Sequence, residues 1–363
     1  MIRFQFIDTL AELERLANEL AGAAELALDT EFMRERTYYP KFCLVQLATA
    51  DAIACIDPLA IDDLAPLSAL LASGTSLKVA HAARQDVETL LTRRVEPPTP
   101  LIDTQIAAAL LGMQPQIGYG DLVHRMLGAK LAKAHARTDW SVRPLSREQL
   151  EYAADDVRHL LPLHEALKRE LENRDRLHWF DAEMARAQAT FATRLSPQDA
   201  WQRLKGLDSL DARRRATAIA LARWRETRAM QRDRPRGWIL SDEALHEIVC
   251  ALPHSIAQLQ RLRSLPPGVI ENSAADLLAA VESSAHLASG EPVRRAARPD
   301  PATQARLKAL AAAVRRIAEQ LQLMPEVLAT RRDLQQLLNG DTDVPPLQGW
   351  RREVVGEALL SLL

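Results

Sequence analysis

Cysteine is scarce in this chain, with three in 363 residues, at positions 43, 55 and 250. None stands in a CxxC pair or at Cys/His zinc spacing, which argues against disulfides and against a structural zinc site. Cys43 and Cys55 lie in apolar runs and read as small core residues. Long apolar runs are missing too: none reaches membrane-spanning length. The opening MIRFQFIDTLAELERL is broken by charge too early for a secretory signal. These absences lead to the expectation of a cytoplasmic protein with no membrane partner. Nor is there a large net charge, the formal value being −2. That balance hides an asymmetry. Residues 1–190 hold 21 Lys/Arg against 28 Asp/Glu, and the remainder holds 25 against 20. An acidic front and a basic back suit a polyanion handled through metal ions. Solvated surfaces of unequal composition give the same asymmetry.

At this length one core is not enough, and two or three domains are expected. IRFQFI, ELALDTE, FCLVQLAT, AIACID, SLKVAHA and PLIDTQ have strand character. DTLAELERLANEL, capped by Asp8, DLAPLSALLA and ARQDVETLL have apolar residues at helical spacing. IAAALLGM, YGDLVHRML and one long run, SREQLEYAADDVRHLLPLHEALKRELENR, are helical as well. This mixture predicts an α/β sheet with a helical tail, ending near residue 190. Beyond 196 strand signals almost vanish. Helices recur to about 285, HLASGEPVRRAARPDPAT reads as a linker, and a last helical unit covers 295–363. The two helical units have similar texture, as a diverged repeat would.

Within this pattern certain acids are out of place. Asp29 and Glu31 sit two apart in ELALDTEF, so both point to one face of a probable core strand. Two like charges there are costly. Asp86 follows the strand LKVAHA at a helix start. Tyr152 and Asp156 are four apart on a helix and share a face. Asp103, ending PLIDT, is a lesser candidate. Each has an ordinary reading: solvent on an open sheet face for Asp29 and Glu31, a helix cap for Asp86, a solvated helix face for Tyr152 and Asp156. In combination they read differently, because carboxylates gathered together need cations among them. Oxygen ligands of this kind suit Mg²⁺ or Mn²⁺, and a pair of such ions can clamp a phosphate.

Taken together, LDTEF, AHAARQD and YAADDV resemble the three exonuclease motifs of the DEDD superfamily, in the subclass with tyrosine in the third. YYPKFCLVQLAT and RTDWSVRPLSREQLEYAADDV are similar to the ribonuclease D family in particular. AWQRLKG with LARWRETRAMQRDRPRGWILSDEAL resembles an HRDC domain. The tail, LMPEVLATRRDLQQLLNG and GWRREVVGEALLSLL, resembles the end of that family. The resemblance implies a ribonuclease H-like α/β domain (1–190), an HRDC domain (196–285) and a second, diverged HRDC-like helical domain (295–363). It implies two divalent ions, Mg²⁺ or Mn²⁺ with Zn²⁺ as alternative, held by Asp29, Glu31, Asp86 and Asp156. Tyr152 would orient the attacking water. The implied activity is 3′→5′ hydrolysis of RNA, trimming 3′ ends of precursor tRNA and other small structured RNAs to release 5′-mononucleotides. Nothing in the sequence demands an oligomer, so a monomer with no obligate protein partner is expected. The rivals are a DNA 3′→5′ exonuclease, which the acids alone do not exclude, and a catalytically idle RNA-binding protein, which the complete acid set disfavours.

Candidate RNA contacts are His81 and Gln85 beside the second motif, Lys133, Arg137 and Arg143 before the third, and Arg214, Arg223 and Arg236 in the HRDC-like part. The last three belong to nine arginines between 213 and 236, enough to track a phosphate backbone, or alternatively to pair with nearby acids. His81 also reads as a satisfied strand-end histidine. Gln46 reads as supporting Glu31 or bonding the backbone. Trp140 reads as a packing anchor more readily than a stacking platform.

Overall fold

The computed structural model describes residues 4–131, 138–191, 196–207, 210–287 and 301–363. They form two compact units. The first comprises 4–33, 40–191 and 301–363. The second comprises 34–39 and the described part of 196–287.

The first unit is built on six strands: β1 (Phe4–Ile7), β2 (Glu25–Met33), β3 (Lys41–Ala48), β4 (Ile53–Ile56), β5 (Leu77–Ala80) and β6 (Leu101–Asp103). They lie in the order β1-β4-β3-β2-β5-β6. β3 runs antiparallel to β2 and β4, while β1, β5 and β6 join in parallel. The sheet is therefore mixed, as expected. β3 is buried on both faces after Lys41, which its apolar run FCLVQLA requires.

Along β2 the side chains alternate. Leu26 and Leu28 join one core with α1 (Leu10–Leu20), α2 (Ala65–Ala72) and Leu90 of α3 (Arg84–Thr92). Ala27 faces the other way, into a core with Ala153, Ala154 and Val157 of α6 (Arg147–Arg158). Asp29 and Glu31 share that second face by period. The cap of α1 is Thr9, whose hydroxyl accepts from the Glu12 amide, and not Asp8. Asp8 lies one residue too early to reach that amide. The long helix expected from 146 onward is broken at His159 into α6 and α7 (Leu160–Asn173). α6 begins with a capping box, Ser146 and Gln149 bonding each other's backbone.

A helical layer completes this unit: α4 (Thr104–Leu110), α5 (Tyr119–Leu127), α7, α8 (Leu177–Phe191), and the C-terminal helices α14 (Pro301–Leu321), α15 (Pro325–Leu328) and α16 (Arg331–Leu338). These share one core in which Leu110, Leu163 and Leu167 meet Leu310, Val314 and Leu328. Trp179 of α8 stacks on Trp350 at 4.4 Å. Glu183 is bonded by Trp350 Nε1 at 3.0 Å and paired with Arg351. Backbones touch as well: a Cβ on Gly112 would lie 2.0 Å from the Gln322 carbonyl oxygen, so only glycine fits. Residues 301–363 are thus part of the sheet unit's core.

The second unit is helical. It contains a short 3₁₀ turn (Pro197–Arg203), α9 (Ala212–Arg232), α10 (Arg236–Ile239), α11 (Asp242–Ala251), α12 (Ile256–Leu259) and α13 (Pro267–Leu287). Its core gathers Leu221, Leu240, Leu245, Ile248, Leu259 and Leu277. Loop 34–39 belongs here by its contacts. Tyr38 Oη donates to Glu226 Oε1 at 2.5 Å, and the Tyr38 and Tyr39 amides donate to Asp233 at 2.9 and 3.0 Å. The linker expected at 286–303 falls largely outside the described residues. No helix among the described residues is long and apolar enough to cross a membrane.

Candidate active site

β2 pairs with β5 only from Glu25 to Ala27. Beyond Ala27 the chain after β5 has left the sheet and turns into α3. Asp29 and Glu31 therefore lie where β2 has lost that neighbour. The pairing with β3 is interrupted by a bulge between Glu31 and Phe32, a device that re-aims side chains near sites.

Three carboxylates converge on this edge. Asp29, Glu31 and Asp156 each offer an oxygen within 4.8 Å of the others. All three are half-buried, leaving an approach from outside. Asp156 comes from α6, which Ala153, Ala154 and Val157 pack against the sheet. Tyr152, one turn earlier, is hydrogen-bonded to Asp156. The fourth acid, Asp86, enters from the first turn of α3, is 5% exposed and accepts from Thr30 Oγ1 at 2.6 Å. Thr30, the middle residue of Asp-Thr-Glu, so ties the second acid to the strand of the first pair.

The turn that delivers Asp86 has its own support. Ala82 sits at φ +58, in the left-handed region that favours glycine. The Asp103 carboxylate accepts from Ala82 N and Ala83 N, both at 2.9 Å, and from Gln105 N at 2.8 Å, capping α4 with the same group. Asp103 shapes this turn, its charge also raises Asp86, and it lies outside the group of Asp29, Glu31 and Asp156.

Electrostatics distinguish this cluster from an ordinary surface. Burial, then repulsion from Asp86, Asp156 and Glu31, holds Asp29 well above the usual carboxylate range. Burial and the neighbouring Asp156 and Asp86 push Glu31 up to about 9. Burial pushes Asp86 and Asp156 to about 7, the Thr30 and Tyr152 hydroxyls opposing the rise. Burial is the largest contribution to each of these shifts, and among the described residues no lysine or arginine pairs with any of the four acids. An all-oxygen donor set of this density fits hard divalent cations. Burial and the surrounding acids raise the Tyr152 phenol beyond its ordinary value, keeping it neutral and a donor.

The other expected contacts separate. Both His81 ring nitrogens are engaged at 2.9 Å, by Thr104 Oγ1 and by the Ile117 carbonyl, so the satisfied reading holds for it. Gln85 is exposed on α3. Arg143 turns inward: Nε and Nη2 grip Asp57 at 2.5 and 2.7 Å, and the remaining donors meet backbone carbonyls. That guanidinium is a structural clamp with nothing left for phosphate. Trp140 is 3% exposed and packs 6.1 Å from Tyr152, an anchor under α6. Lys133 and Arg137 lie outside the described residues. Arg214 pairs with Asp211, and Arg236 with Glu226 at 3.6 Å. Arg223 is exposed. Two more of the nine arginines are also paired, Arg225 with Asp242 and Arg228 with Asp276. Four of the nine arginines are therefore engaged in ion pairs within the unit. Gln46 does neither thing expected of it. It is fully buried directly across from Asp29, and neither of its side-chain polar atoms has a partner.

Residues 4–172 match the family model for 3′-5′ exonucleases, 215–281 that for the HRDC domain, and 301–359 that for the C-terminal HRDC domain of ribonuclease D. The chain is 41% identical over 360 residues to ribonuclease D of Granulibacter bethesdensis, covering 97% of this chain and 90% of that protein. The chain belongs to the ribonuclease D family. Ribonuclease D of Escherichia coli is 35% identical over 375 residues, covering 100% and 99% of the two chains. Its crystal structure, of an exoribonuclease involved in structured RNA processing, superposes with a TM-score of 0.88 at 34% identity over 99% of this chain and 98% of that one. A ribonuclease D-type fold and a 3′→5′ exonuclease domain are thus established here, and neither rival reading is favoured.

Proposed function

We propose that this exoribonuclease trims extra nucleotides from the 3′ ends of precursor tRNA and other small structured RNAs, releasing 5′-mononucleotides. In this reading Asp29, Glu31, Asp86 and Asp156 hold two divalent ions, Mg²⁺ or Mn²⁺. The observation that carries it is the gathering of Asp29, Glu31 and Asp156, with Asp86 beside them, and no lysine or arginine paired to any of the four among the described residues. Divalent cations, when bound, supply that missing charge and polarise the terminal phosphodiester. Tyr152, kept neutral and fixed by Asp156, orients the attacking water by hydrogen bonding. Water oxygen joins phosphorus, the 3′ oxygen of the shortened RNA leaves with a proton, and the last nucleotide departs as a 5′-phosphate. Thr30 and Asp103 are positioning residues, holding Asp86 and its turn. We divide the chain by sequence as 1–190, 196–285 and 295–363, the last packing into the core of the first, with the helical units holding the RNA body while a single-stranded end is cut. The protein works as a cytoplasmic monomer with no obligate protein partner.

The test is a 5′-labelled tRNA precursor with several extra 3′ nucleotides beside a DNA strand of matched sequence. Each is incubated with wild type and with Asp29→Ala, in Mg²⁺ and in chelator. A metal-dependent ladder shortening the RNA, reduced at least roughly 10³-fold by Asp29→Ala with RNA affinity retained, is the expected result. Near-normal turnover by Asp29→Ala would overturn the site assignment, and shortening of DNA alone would overturn the substrate.

A further inference from the structure

The chain has six tryptophans. Trp140, Trp179 and Trp350 are buried, and Trp201 and Trp224 are partly so. Trp238 is different: 59% of it is exposed, the highest value among the large apolar side chains described. So large an exposed aromatic face is available for contact.

The backbone beneath Trp238 is firmly held. α10 is a single turn, with Trp238 N donating to the Pro235 carbonyl at 2.9 Å and Leu240 N to the Arg236 carbonyl at 3.0 Å. The next two residues, Ile239 and Leu240, are buried, and the Leu240 carbonyl is bonded by Arg225. The ring therefore stands on a rigid mount, so little freedom is lost when something stacks on it.

Its surroundings are cationic. The Arg234 guanidinium lies 5.8 Å from the ring centroid and has no ion pair among the described residues. Arg232 and Arg234 are exposed, and Arg236 is half-buried against Glu226. The nearest acid in sequence, Asp233, accepts from the Tyr38 and Tyr39 amides. A flat aromatic face with an arginine beside it that has no ion pair among the described residues suits a base and its phosphate better than a protein surface.

We propose that Trp238, with Arg234, is a stacking site for one unpaired nucleobase of single-stranded RNA. The inference rests on RNA being the substrate, and it places a sequence-tolerant grip in the HRDC-like unit, apart from the acids. Arginine supplies the phosphate contact and tryptophan the base contact, so the two residues differ in salt dependence.

The probe is a fluorescein-labelled single-stranded oligo(A) of twelve nucleotides, bound to the full chain in chelator. Trp238→Ala is expected to weaken binding by about 5- to 150-fold, the worth of one stacked base. It should leave the slope of log affinity against log salt unchanged. Arg234→Ala should lower that slope by about 0.7, one phosphate contact to a single strand. Trp238→Phe should restore most of the affinity. Oligo(A) should also quench wild-type tryptophan fluorescence more than that of Trp238→Phe. Wild-type affinity in Trp238→Ala would overturn the proposal and leave the exposed ring to a protein contact. Loss of affinity with equal weakening of double-stranded RNA would overturn it as well. Wild type that binds oligo(A) but does not shorten it in Mg²⁺ would sink the catalytic reading while supporting this one.

Discussion

The two units each bury carboxylate, in opposite ways. Glu226 in the helical unit is 1% exposed, yet Arg203 pairs with it at 3.0 Å, Arg236 at 3.6 Å, and Tyr38 donates to it. Asp29, Glu31, Asp86 and Asp156 in the sheet unit meet hydroxyls and one another, with no such cation among the described residues. A buried acid that brings its own counter-charges fastens a fold. A group of acids without them is a fold held under strain for chemistry. Charge content alone does not separate the two cases; partners do.

That contrast can be broken from either side. The largest effect is expected from Glu226→Ala, which removes the partner of two partly exposed arginines and a tyrosine, costing about 2–3 kcal/mol. Thermal or urea unfolding monitored through the helical unit measures it. A stability unchanged within experimental error would mean these partners are independently hydrated. A smaller effect belongs to pH. The folded-state values of Glu31, Asp86 and Asp156 are raised, to about 9, about 7 and about 7, from 4.5, 3.8 and 3.8. The folded protein therefore holds protons that the unfolded chain has released. Their stabilising contribution is full below about pH 4 and is lost as pH rises through about 7 to 9. In chelator, Tm should fall across this window by several degrees, and Mg²⁺ or Mn²⁺ at pH 8 should recover it. A chelated Tm that climbs from pH 6 to 9 would contradict the origin assigned to the strain. The smallest effect is Asp29→Asn. Removing one like charge should stabilise the metal-free protein by about 1–2 kcal/mol while hydrolysis is lost. Destabilisation there would make Asp29 resemble Glu226 and erase the contrast.

The acids were legible in sequence because period two puts Asp29 and Glu31 on one face and i,i+4 spacing does the same for Tyr152 and Asp156. The mixed sheet and the helical second half were legible from periodicity as well. What escaped depends on partners distant in sequence. Thr30 looks like a filler between two acids, but 56 residues on it meets Asp86. Asp103 is a plain strand-end acid until the fold brings Ala82 to it. Arg143 and the paired arginines of 214–236 carry the composition of a nucleic-acid surface, and only the folded neighbours reveal which are spent on Asp57, Asp211, Asp242 and Asp276. Trp238 differs from the buried tryptophans by tertiary burial, which periodicity in a four-residue helix does not report. Gln46 shows the opposite limit, since its position opposite Asp29 is fixed by register while its hydrogen-bonding role is not.

The shared core of α8 with residues 301–363 has a consequence for how the molecule is made. Trp179 and Glu183 find Trp350 and Arg351 across some 170 positions of chain. A ribosome delivering residues in order completes the helical unit first, although it lies in the middle. The sheet unit waits, with Leu163, Leu167 and Trp179 uncovered, until the segment around 310–359 emerges. The sheet unit's helical flank is therefore completed only once residues 310–359 have been made, later than the helical unit that precedes them in sequence.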